Sequence, residues 1–143
     1  MIQLETFVKR VGQLERFVRI QAQKTLKAQG PEIIKMVREQ HHAGLNREGK
    51  QMQSGYSTPY GKRRKKLGLQ TKFVDLHFTG KYHKSLKVVD QKKGVDVSST
   101  EPYAHYLRGN FPGMAGVTPK NADVLTEKIA NILAPKIKKF LIR

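Results

Sequence analysis

Phe73-Val-Asp-Leu-His-Phe-Thr-Gly-Lys-Tyr-His-Lys-Ser-Leu-Lys-Val88 and, shortly after it, Gly94-Val-Asp-Val-Ser-Ser99 form the stretch whose reading decides the fold of this 143-residue chain. A short apolar run over 72–76 leads into a Thr79-Gly80 turn. Residues 85–90 and 94–99 then read as paired strands around Gln91-Lys92-Lys93. Val95 and Val97 alternate with Asp96 and Ser98, so one face of the hairpin is buried and the other wet. Glu101-Pro-Tyr-Ala-His-Tyr-Leu-Arg-Gly109 closes the unit, with a helical turn expected over 102–106. The unit has no nucleophile–base pair, metal-ligand spacing or phosphate loop. It reads as built to pack against a neighbour, and Thr79, Gly80, Tyr82, Tyr103 and Tyr106 are its candidate assembly residues.

Helices are expected on both sides of this unit. From residue 2 to about 28, Leu4, Phe7, Val11, Leu14 and Val18 step by three and four, widened by Val8, Phe17 and Ala22. The stripe is short of a coiled coil; it packs either on its own domain or on another subunit. Gly30-Pro31 is a stop-and-restart signal, with Gly at the end of the first helix and Pro opening a second over about 31–43. That helix buries Ile33, Ile34 and Val37 and leaves His41 and His42 at a fraying, exposed end. The last helix starts from Thr118 as N-cap with Pro119 behind it, and Pro135 is expected to kink or divide it.

Between the helices and the hairpin, residues 44–60 turn to Gly, Asn, Gln, Ser and Pro, which reads as a long loop of the kind that binds or orders on assembly. Lys62, Arg63, Arg64, Lys65 and Lys66 follow, five cations in a row that form at most a turn or two of helix. The expected architecture is therefore α+β in a single domain. It comprises a helical region (1–43), a polar and basic loop (44–72), a β-hairpin unit with its aromatic turn (73–117) and a C-terminal helix (118–143) packed on the small antiparallel sheet.

The net charge of +17 attracts polyanions or acidic protein surfaces. Lys62–Lys66 are the candidate contacts, with Tyr56 and Tyr60 placed to stack on exposed bases. No helix-turn-helix, homeodomain or RNA-recognition signature accompanies them, so nucleic-acid contact would be non-specific. The chain has no Cys, which removes disulfides and thiol chemistry. It shows no signal-peptide pattern and no run approaching a membrane span, so the sequence predicts a soluble protein without membrane contact. Catalysis is poorly supported. A Ser–His–Asp set drawn from Asp75, His83 and Ser85 lacks a nucleophile elbow and an oxyanion hole, and the five histidines match no zinc pattern. No catalytic, metal or cofactor residues are assigned.

Taken in order, Leu76-His-Phe-Thr79-Gly80-Lys-Tyr-His-Lys-Ser85-Leu86, Gly94-Val95-Asp96-Val97 and Pro102-Tyr103-Ala104-His105-Tyr106-Leu107, between a long first helix and a C-terminal helix, resemble the tail-completion or head–tail joining proteins of tailed bacteriophages. The resemblance implies a structural virion protein, made in the host cytoplasm, that forms a neck or tail ring of six or twelve copies. Such a ring contacts portal and tail proteins, joins the head to the tail and lets DNA pass, without catalysis. The strong positive charge departs from that pattern and leaves open a second reading, a small basic protein that binds nucleic acid non-specifically.

Overall fold

The computed structural model describes residues 3–52 and 55–143. Its elements are α1 (Leu4–Ala28), α2 (Gly30–His42), α3 (Thr58–Lys66), α4 (Lys81–Ser85), β1 (Leu86–Gln91), β2 (Gly94–Ser99), α5 (Ala104–Asn110) and α6 (Pro119–Ile142). The protein is α+β, and β1 and β2 form one antiparallel two-stranded sheet. Leu86↔Ser99, Val88↔Val97 and Asp90↔Val95 face each other across the ladder, which places Leu86, Val88, Val95 and Val97 on one side. Leu86 and Val97 are buried there, as the alternation requires.

A two-stranded sheet is marginal by itself; here helices cover it. α2 lies against β1 and the C-terminal part of α1 against β2. Gln23 donates from its amide to the Gly94 carbonyl, and Lys27 pairs with Asp90. The core joins Ile33, Met36 and Val37 of α2 to Val74, Leu76, Tyr82, Met114 and the sheet, and Leu125 brings α6 into the same cluster. Buried Gln40 fastens α2 to the start of α6. Its Oε1 accepts from Thr118 N at 2.9 Å and Asn121 Nδ2 at 2.8 Å, while its Nε2 donates to the Gly116 carbonyl. Leaving any of these buried groups unpaired would cost about 1–3 kcal/mol.

α6 packs along α1. Phe17 of α1 meets Phe140 of α6, and Arg10, two turns earlier in α1, lines a hollow with Arg143 at the end of α6, so the two run antiparallel. Their far ends form an arm held by the Phe17–Phe140 stack, with ring centroids 4.1 Å apart.

Several expectations are corrected. Gly30 does not terminate α1 in a left-handed conformation; Gln29 ends α1 and Gly30 already belongs to α2. Pro135 does not divide the last helix, which runs unbroken from Pro119 to Ile142. The carbonyl that Pro135 cannot bond belongs to Asn131, an exposed residue, so the missing bond does not break the helix. The basic run, expected to form at most a turn or two of helix, lies in α3, which starts earlier, at Thr58, inside the stretch 44–60 read as loop. Ile2 at the start of the first expected helix lies outside the described residues, and α1 begins at Leu4. Thr118 is the N-cap of α6 as its sequence predicts, accepting from Asn121 N.

Candidate docking groove

The basic run is where the sequence is hardest to read, because helical geometry sorts five like residues onto different faces. α3 turns Arg64 into the protein while Lys62, Arg63, Lys65 and Lys66 stay exposed. Arg64 is 1 % exposed. Its Nη2 pairs with Asp75 at 3.0 Å, Nη1 donates to the His77 carbonyl and Nε to the Gln70 carbonyl. Its guanidinium also lies 4.2 Å from the Tyr56 ring centroid. Asp75 Oδ1 accepts from the Tyr56 hydroxyl at 2.6 Å and from His77 N at 3.0 Å. Burial alone would raise the Asp75 carboxyl, but these hydrogen bonds, led by Tyr56, and the Arg64 charge hold it below the usual range. Every polar atom of the Arg64 fork is committed inside the fold, so Arg64 is removed from the candidate DNA or partner contacts. Tyr56, whose hydroxyl is likewise committed to Asp75, offers only its ring.

This buried pair pins the segment 67–80 to α3 and so shapes what lies beside it. Gly44 is required here: at φ 75° its missing side chain leaves room for the Phe73 ring, whose Cδ2 would lie 2.6 Å from an added Cβ. Leu76 is held at φ 55°, a conformation unfavourable for a branched residue, which points its chain into the core. Gly80, at φ 82°, ends the turn and caps α4.

The result is an open groove of about 840 Å³ between α3, the 76–82 segment and α5. Tyr56, Tyr60, Phe78, Tyr82, Tyr103 and Phe111 line it, and Lys81 and Asn110 are among its polar groups. Tyr56 and Tyr60 meet edge to face at 5.2 Å, and Arg63 lies over Phe78 at 5.2 Å. Burial pushes the Tyr82 phenol up to about 12, so it stays a neutral donor across the physiological range.

Six residues expected in two separate roles therefore meet in one place: Tyr56 and Tyr60 with Thr79, Gly80, Tyr82 and Tyr103. Tyr106 does not join them. It is 66 % exposed on α5 and leans on His105 instead. Phe78, Leu107 and Phe111 also line the groove, and only Phe78, next to Thr79, carries a signal for it in the sequence.

Behind the groove, His41, expected on the surface, is fully buried: its Nε2 donates to the Met114 carbonyl at 2.8 Å. His42 is exposed, yet its ring stacks on that of buried His83 at 4.3 Å. The drawn Ser–His–Asp set is not assembled. His83 Nε2 bonds the Asp75 main-chain carbonyl, the Asp75 carboxylate serves Arg64 and Tyr56, and Ser85 bonds the Tyr82 carbonyl and Ser99. Among the described residues, no group of three or more His, Cys, Asp or Glu is arranged to hold a metal ion, and no helix is long and apolar enough to cross a membrane.

No protein-family model matches the chain, and neither a curated protein nor a solved structure shows significant similarity to it.

Proposed function

We propose that this protein is a structural subunit of a tailed-bacteriophage particle, forming a ring in the neck or tail that joins the head to the tail and leaves a passage for DNA. One observation carries the reading: the chain bears both an open aromatic groove and, elsewhere, an unpartnered apolar stripe suited to fill it. Leu4, Phe7, Val8 and Val11 on α1 are 76 %, 37 %, 60 % and 47 % exposed. They occupy the i, i+3, i+4 and i+7 positions by which an amphipathic helix docks in a groove.

Because stripe and groove are different surfaces, the contact between copies is head-to-tail, and such contacts close into rings when the rotation per subunit allows it. α1 projects its first turns beyond the core, so a neighbouring copy can receive them without the fold opening. Portal-side and tail proteins would then meet the two faces of the ring.

Light scattering coupled to size-exclusion chromatography tests this with two variants, Val8→Asp in the stripe and Tyr103→Asp in the groove. The unaltered chain should form a concentration-dependent ring-sized species, and each variant should be monomeric alone. Mixed, the two should give one-to-one dimers only, because each retains the half its partner lacks. A chain that stays monomeric at every concentration, and that imaging never locates in the neck or tail of a particle, would end the proposal.

A further inference from the structure

The arm formed by the far ends of α1 and α6 carries a second feature, separate from the groove. Lys136, Lys139 and Arg143 share one face of α6 with Phe140, and Arg10 shares one face of α1 with Phe17 and Gln21. The Phe17–Phe140 stack fixes the two faces against each other. Together these side chains line a hollow of about 380 Å³.

Among the described residues, none of the four cations is in an ion pair. Arg10 Nη1 is buried and has no hydrogen-bond acceptor. A guanidinium N–H withdrawn from water and left unpaired is costly. Four like charges around one hollow also repel each other. Both costs vanish when an anion with several acceptor oxygens enters. The surroundings are basic as well: residues 3–19 and 130–143 carry eight Lys and Arg against two Glu. α6 ends here, but the partial negative charge of its last turn, about half a unit, is small beside four full cations.

We infer that this hollow is a phosphate site, and that its ligand is the backbone of a nucleic acid lying along the arm. The guanidinium groups of Arg10 and Arg143 suit two-pronged contact with phosphate oxygens, and Lys136 and Lys139 add point charge. The recognition reads no bases, so it is independent of sequence. Nucleic-acid contact thus belongs to the arm rather than to the Lys62–Lys66 run, where Arg64 is committed inward and Arg63 packs on Phe78.

Fluorescence anisotropy with a labelled duplex of about thirty base pairs, titrated across a salt series, tests this, because each lost phosphate contact reduces the slope of log K against log salt by about 0.9. One variant combines Lys136→Gln, Lys139→Gln and Arg143→Gln; all three residues are exposed, so the fold should survive, and circular dichroism checks it. Its salt slope should flatten by about two to three. The matching variant of Lys62, Arg63, Lys65 and Lys66 to Gln should keep nearly the full slope. Binding of inorganic phosphate at millimolar concentration, measured by calorimetry, with no duplex affinity in the unaltered chain, would reassign the hollow to free phosphate and overturn the nucleic-acid inference. An unchanged slope in the arm variant would overturn it too, as would an arm that loses binding to polyglutamate but not to duplex. Each result is read on whatever species the chain forms, so failure here leaves the ring reading standing, and failure of the ring leaves this site standing.

Discussion

Replacing Arg64 by Ala should be far more damaging than replacing any of its four cationic neighbours, although the sequence shows five near-equivalent residues. Truncation leaves the Asp75 carboxylate buried without its counter-charge and strips donors from the Gln70 and His77 carbonyls. Breaking a buried ion pair from one side costs about 3–5 kcal/mol. Total stability for a domain is about 5–15 kcal/mol, so this is a large share. With an unfolding entropy of about 2.1 cal/mol/K per residue, the 143-residue chain should lose about 10–17 °C in melting temperature. Thermal and urea unfolding followed by circular dichroism measure it. Lys62→Ala and Lys65→Ala should each stay within about 0.5 kcal/mol, since both residues are exposed. Arg64→Lys should recover little, because an ammonium cannot reach three acceptors held around a planar fork. Combining Arg64→Ala with Asp75→Ala should cost less than the sum of the two, as neither charge is then stranded. If Arg64→Ala proved as mild as Lys65→Ala, the inward placement of Arg64 would be wrong, and with it the account of how the groove wall is held.

Three further outcomes follow from the same packing. Burial first of all, and then the neighbouring imidazoles, lowers His83 to about 4, and burial lowers His41 as well. The unfolded chain therefore takes up protons near pH 6.5 that the folded chain refuses until about pH 4. Stability is thus full above about pH 6.5 and falls through that window, by about 3 kcal/mol for His83. His83→Gln, which keeps a donor for the Asp75 carbonyl but does not titrate, should flatten the decline seen in melts between pH 7 and 4.5; an equally steep decline would remove His83 as its cause. Gly44→Ala should cost about 2–5 kcal/mol in urea unfolding, from left-handed strain plus displacement of Phe73; a loss under about 1 kcal/mol would show that the segment shifts freely. Pro135→Ala restores a hydrogen bond to Asn131 in a helix that is already continuous and should slow amide exchange along the far part of α6; unchanged exchange would mean that this arm is limited by its packing on α1.

What the sequence determined by itself is the set of features governed by neighbours along the chain. Alternation at Val95 and Val97, and the Lys92-Lys93 turn, suffice for the hairpin, because a period of two and a short connection are local properties. Thr118 with Pro119 likewise declares the start of α6. Tertiary structure alone decided how like residues divide. It drew Arg64 out of a solvated run by supplying Asp75 eleven residues on, and buried His41 by placing the Met114 carbonyl against it. It set Tyr60 and Tyr103 on one groove and left the apolar stripe of α1 exposed. Burial and charge pairing depend on what the rest of the chain brings near, and five cations or five histidines do not carry that information in their order.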